Sequence, residues 1–443
     1  MKKSTLVLVV IAAAVVGFVY WHEFKRPPKQ QAETNPTVFH FQPEDVTAVT
    51  YARPGQDLLA ERNGTGWEIL QPVKTRADQN AVNGLLDEVT LARASRTLAP
   101  TAEQLKTFGL APPAVTIELK LKNGQTHQLK IGANDYSGDN VYAMADGSPQ
   151  VLLLSGSVAA QAKKGLNDLR DSSVLGISDF DVKSFDLKTA GGEIAAERAG
   201  GTGGSWSIEK PRPMAGDDTA IGQLLTNVAS AKLASVVSEQ GGGLARYGLD
   251  HPQLSLTVRL NAGGERALEI GKKQGDQYYA RDTSRDAVFL VPASVEKQLD
   301  VKLFDLRDKK LMHSLPEDFS QLSYQAGSLR FTCGVDKDGN WVISAPAAEK
   351  GKAVANWKLF DPLSSNNATG ILDPAPPGLA AKLNHPAVEI ALTRKGGGTK
   401  TYRISAAEGD SVYVESSGEP GLYRVPKQML DSLTFKSVTD VLR

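Results

Sequence analysis

"GDQYYA", residues 275–280, has near copies in "GDNVYA" at 138–143 and "GDSVYV" at 409–414. An acidic residue close to a tyrosine, three times over, admits two readings. It is a ligand site used in triplicate, or a turn entering a strand within a module that is itself triplicated. Other landmarks bear on the choice. Trp67, Trp206 and Trp341 lie 139 and then 135 residues apart, and each is followed five positions later by proline: Pro72, Pro211 and Pro346. "FGLAPP" (108–113) matches "YGLDHP" (247–252), placing Gly109 and Gly248 again 139 apart, with a shortened "LNHP" at 383–386. "LKIG" (129–132) matches "LEIG" (268–271), with "YRIS" (402–405) as the weaker third copy, and "NDLRD" (167–171) matches "FDLRD" (304–308), while the chain stops at "DVLR" (440–443). Independent landmarks in one register describe a repeated unit of ordinary domain size.

Within that frame the opening stretch reads as turn chemistry. Glycine at the first central position of a two-residue hairpin loop supplies positive φ, and aspartate is tolerated after it. Alternation then puts Tyr142, Tyr279 and Tyr413 on one strand face. A calcium site built on Asp139, Asp276 and Asp410 would need further carboxylates, and none recur in the register.

The periods inside a module predict its elements. Val82, Leu85, Leu86 and Val89 fall at i, i+3, i+4 and i+7, the stripe of an amphipathic helix, and Ile221, Leu224, Leu225 and Val228 repeat it. Asp78 and Asp218 stand where a carboxylate can accept backbone N–H bonds at a helix start. "VTIELKLKNGQTHQLKIG" alternates about Asn123-Gly124, a hairpin signal, and "SLTVRLNAGGERALEIG" takes the same place in the second copy. The fold class expected is α+β: three tandem homologous modules of mainly antiparallel sheet with two helices each. In the third copy Pro362 is expected to interrupt any helix, making that module the divergent one.

The first residues carry a different signal. Ser4 to Trp21 contains no charge over 18 residues, a rise of about 27 Å as a helix against a hydrocarbon layer of ~30 Å. Tyr20 and Trp21 suit a membrane–water interface. A cleaved signal peptide is the alternative, but no small-x-small site follows the apolar run. The division expected is a transmembrane anchor at 1–24, a polar, proline-containing linker at 25–44, and modules at 45–176, 177–314 and 315–443. Lysines at 2 and 3 place the N-terminus in the cytoplasm and the modules outside the inner membrane, in the periplasm or beyond.

Composition and motifs narrow the function classes. Fifty basic residues balance 50 acidic ones, which argues against a nucleic-acid partner. The single cysteine, Cys333, cannot form an intrachain disulfide. His251 and His385 are equivalent but module one has Pro112 there, His22, His40, His127 and His313 are scattered, and no HxxxH, HExxH or paired CxxC spacing occurs. "SVEK" (294–297) matches the Ser-x-x-Lys pattern of serine acylases, yet its counterpart is "SVAA" (157–160) and no Ser-Asp-Asn or Lys-Thr-Gly follows. The glycine runs at 200–205, 239–244 and 395–400 lack phosphate-loop spacing and read as loop insertions. No catalytic, cofactor-binding or metal residue is assigned. Trp67, Trp206 and Trp341, tempting as sugar platforms, read as core anchors.

The order of W-x4-P, amphipathic helix, "YGLDHP", "IG", "GDxYYA" and "LRD" resembles a bacterial domain-of-unknown-function family, number 4340, most strongly over 45–175 and 183–311 and more weakly over 320–443. That resemblance implies an N-terminal membrane anchor, tandem copies and association with gliding-motility-type ABC transporters. It implies no catalytic residue. The expectation is a non-enzymatic, membrane-anchored accessory or scaffold subunit with protein partners in an ABC-type transporter or envelope complex. The alternatives are an extracytoplasmic binding module for polysaccharide, peptide or lipid, using grooves between modules, and a hydrolase built on Ser294 and Lys297 or the histidines.

Overall fold

Val82, Leu85, Leu86 and Val89 are fully buried along one side of the helix Gln79–Thr90. Each such burial stabilises by about 1.5–3 kcal/mol before entropy is counted, enough to hold a helix this short against a sheet. The helix starts at Asp78, whose carboxylate accepts the Ala81 N–H at 3.0 Å. The computed structural model describes residues 36–443 apart from Thr65 and Thr202. The apolar segment Ser4–Trp21 lies outside the described residues. Among those described, no helix is long and apolar enough to cross a membrane.

The chain divides into two units, one ending at Ser173 and one running from Val174 to Arg443. The first holds one antiparallel sheet, of nine strands among the described residues. Its strands lie in the order Thr75–Arg76, Gly66–Gln71, Gln56–Asn63, Val46–Arg53, Val115–Leu121, Thr126–Asn134, Asn140–Ala145, Val151–Ser155 and Arg96–Leu98. Two meanders therefore join where Val46–Arg53 pairs with Val115–Leu121, with Val49 opposite Leu119 and Tyr51 opposite Ile117. The helix Gln79–Thr90 carries the chain from one edge of the sheet towards the other. Along Val115–Leu121 the odd-numbered residues are buried while Glu118 and Lys120 are exposed, the alternation of a sheet covered on one face.

The second unit contains two more sheets. One has nine strands in the same order, from Met214–Ala215 through Val182–Thr189 to Ser235–Ser238, and the other has eight. The hairpin about Asn123-Gly124 forms with a three-residue loop: Leu121 N–H donates to Gln125, and Gly124 takes φ 84°. Cross-strand ion pairs lie among the polar side chains of the later sheets, Arg259 with Asp186 at 2.7 Å and Arg403 with Glu389 at 3.1 Å and Glu415 at 3.3 Å.

Four expectations need correction. Each module has more than two helices. Short ones such as Ala102–Thr107, closed by the Thr101/Gln104 capping box, have no apolar stripe to reveal them. In the second module the helix cap is Asp217, which accepts from Thr219 and Ala220, and Asp218 is the first helical residue. Pro362 does not prevent a helix: Trp357–Ser364 runs through it, held by the burial of Leu359, Phe360 and Leu363. Finally, the stretch before residue 45 is not all spacer. From Pro36 it is tied to the first module through Val38 N–H to Ala92 and Ala94 N–H to Pro36, and Phe39 enters the core.

The hydrophobic clusters also reach back from the sheets. Val174 and Leu175 belong to the second core, and Leu311 and Met312 to the third.

Candidate functional site

The Gly-Asp turns use their main chain. Gly138, Gly275 and Gly409 adopt φ of 81°, 62° and 61°. The carbonyls of Asp139, Asp276 and Asp410 then accept N–H bonds from Gly156, Ala293 and Lys427, where a short helix begins in each module. The tyrosines meet a second landmark. Tyr142 stacks on Phe108 with centroids 4.1 Å apart, and Tyr279 packs on Tyr247 at 4.9 Å. In the third module "LNHP" supplies no such ring, and Tyr413 sits half-buried on its strand.

Gly109 and Gly248, with φ of 66° and 70°, end the short helices before those turns. The turn carbonyls lie on Gly132 and Gly271 of "LKIG" and "LEIG", so two further landmarks are one contact. The tryptophans are 3%, 4% and 7% exposed at Trp67, Trp206 and Trp341. Trp67 receives Arg62 over its ring at 4.7 Å and donates from Nε1 to Asn83 at 3.2 Å, while Arg198 covers Trp206 at 4.8 Å. The Trp67 N–H donates to Gln79 at 2.6 Å and that of Trp206 to Asp218 at 2.7 Å, so these two positions correspond.

The "LRD" copies close each module. Ala77 bridges Arg170, Gly216 bridges Arg307 and Val354 bridges Leu442. Leu442, not Arg443, therefore stands at the arginine position of the third copy. Beside it sits a recurring carboxylate that the residue pattern left unnoticed: Asp168, Asp305 and Asp440 accept the N–H of Gly165 at 2.7 Å, Lys302 at 2.8 Å and Ser437 at 3.1 Å.

Ser294 and Lys297 are both exposed on the helix Ala293–Leu299. His251 and His385 are exposed, and His313 contacts Asp308. Among the described residues no group of three or more His, Cys, Asp or Glu side chains is placed to hold a metal.

Concavities occur in both units. In the first module a pocket of about 510 Å³ lies beside Phe39, Phe41, His127 and Asp146. There His127 Nδ1 is 2.8 Å from Asp146, and the Phe41 ring lies 4.7 Å from the imidazole. Asp146 holds φ 47°, the one positive value at a non-glycine residue among those described. In the second unit a cleft of about 510 Å³ is lined by Pro211, Arg212, Leu303, Phe304, Arg307, Ile371, Asp373 and Pro374. Its first five residues come from the second sheet's part of the chain and the rest from the third's, so no single segment announces it.

These contacts define a class: tandem antiparallel-sheet modules whose repeated residues lock one another in place. The family model "Domain of unknown function (DUF4340)" matches residues 67–204 and 206–382, and the chain belongs to that family. No curated protein matches the chain. Among solved structures, the chain is similar to the DNA polymerase III subunit beta from Pseudomonas aeruginosa at 9% identity and TM-score 0.14, covering 87% of this chain and 93% of that one. The beta subunit from Borrelia burgdorferi, in complex with a natural product, gives 6% identity and TM-score 0.14 over 88% and 93%. At that level of superposition no functional reading rests on either.

Proposed function

We propose that this protein is a non-enzymatic, membrane-anchored scaffold: three modules held outside the inner membrane by the Ser4–Trp21 helix, serving as an accessory subunit of an ABC-type transporter or other envelope complex. The observation that carries the reading is the use made of the repeated residues. Tryptophan and the Gly-Asp carbonyl serve core packing and main-chain bonds in each module, and the glycine and tyrosine landmarks pack against one partner segment in the first two. What is repeated is shape, and repeated modules supply surfaces on which protein partners dock. The uncharged 18-residue run supports the anchor.

The test has two arms. Membranes washed with alkaline carbonate should retain the full chain, and release into the wash would remove the anchor. Cross-linking in cells, followed by purification from detergent, should recover the same transporter permease in repeated trials; recovery of the chain alone would remove the scaffold role.

A further inference from the structure

Asp373 stands between two arginines that reach it from the preceding module, Arg212 and Arg307, the latter with Nη1 at 4.0 Å. One carboxylate facing two guanidinium groups leaves the cluster with a net positive charge. The Arg307 side chain is only 6% exposed, and its Nε has no hydrogen-bond partner among the described residues. An unmet donor on a buried cation is costly, and an incoming acceptor relieves it.

The same groups form the charged side of the cleft. Its other lining is apolar: Leu303, Phe304, Ile371, Pro211 and Pro374. Lys309 lies 5.4 Å over the Phe304 ring and is paired with Asp217 at 3.4 Å, so its own charge is matched there and the excess on the arginine pair is unchanged. The volume of about 510 Å³ is that of a small-molecule site. The arrangement is peculiar to this place in the chain, since the residue 139 positions before Arg212 is Val73.

We propose that this cleft binds a small organic anion, a carboxylate carried on an apolar group. Its carboxylate is taken by Arg212 and Arg307 in exchange for Asp373, and its apolar part lies on Phe304, Ile371 and the two prolines. Planar guanidinium groups favour a carboxylate's paired oxygens, and Asp373 is the carboxylate that both arginines face. The site stands independently of the scaffold reading, because it needs no membrane and no partner.

Isothermal titration of the full chain in detergent, with 4-phenylbutyrate as probe and 4-phenylbutyramide as its uncharged analogue, tests the site. The acid should bind at least about tenfold more tightly than the amide, the loss expected when charge-assisted bonds become neutral ones. Arg212→Gln, at a side chain 40% exposed and so tolerant of change, should weaken the acid about tenfold. Asp373→Asn should strengthen it, because both guanidinium groups are then released. Absence of acid binding to the unaltered chain, equal affinity for acid and amide, or an Arg212→Gln variant that binds the acid as well as the unaltered chain would each overturn the proposal. Should Asp373→Asn not fold, the Arg212→Gln comparison decides alone.

Discussion

Gly132 lies so close to the main chain of Phe108 that an added Cβ would stand 2.1 Å from the Phe108 carbonyl oxygen. Gly271 repeats the relationship with Tyr247, at 2.3 Å. The neighbouring Ala133 N–H donates to that Phe108 oxygen at 2.8 Å, so the two backbones cannot simply part. Gly132→Ala and Gly271→Ala should each lower stability by about 2–4 kcal/mol, read from denaturant unfolding. Gly124→Ala meets open space and only an unfavourable φ of 84°, and should cost about 1–2 kcal/mol. Equal losses at all three positions would contradict the close approach.

Two sets of three aspartates separate side-chain from main-chain roles. Asp139→Ala, Asp276→Ala and Asp410→Ala keep the carbonyl that each turn uses, so each should change unfolding free energy by less than about 0.5 kcal/mol. Asp168→Ala and Asp305→Ala remove a carboxylate that accepts a main-chain N–H and should cost about 1 kcal/mol. Asp440 makes the same kind of bond. The N–H groups of Lys436 and Ser437 hold its carboxyl below the usual range. A depressed carboxyl stabilises the fold above its ordinary pKa, and that contribution disappears as pH falls through the folded value. Acid titration followed at the Ser437 amide should report the loss, and an unchanged resonance would argue against the bond.

Cys333 is completely buried, and burial pushes its thiol up to about 12. At pH 8 a thiol-specific reagent should label the folded protein only as fast as it opens, whereas unfolded chain should react at once. The fold favours the neutral thiol, so this stabilisation is intact below the ordinary thiol pKa and is lost as pH rises through about 12. Prompt labelling of folded protein would show that the third core is not closed.

Arg53, at the tip of its hairpin, donates from Nη1 to the Lys163 carbonyl at 3.1 Å and from Nη2 to the carbonyls of Ala162 and Lys164. It thereby caps the C-terminus of the helix Gly156–Ala162, where positive charge is favoured. Arg53→Gln should lower stability by about 1–2 kcal/mol in thermal unfolding. A variant as stable as the parent would make the contact incidental.

Much of the module could be read along the chain because its signals are local. The stripe Val82–Val89 carries the helical period, "VTIELKL" carries the strand period, and Asn123-Gly124 marks the turn between strands. The helix through Pro362 was hidden for the complementary reason: its stability comes from Leu359, Phe360 and Leu363 entering a core whose other side chains lie far away in sequence. The arginine cleft was equally hidden, since Arg212 and Asp373 are 161 positions apart and belong to different copies.

The residues in order determined how often the unit recurs and, in the first two copies, where its strands, turns and main helix lie, because period and turn chemistry act over a few neighbours. Only the folded chain decided what the recurring letters are for. Phe108 meets Tyr142 and Gly132, the turn aspartates offer their carbonyls, and two arginines converge on Asp373. Such meetings are set by packing between distant segments, and packing has no period to read.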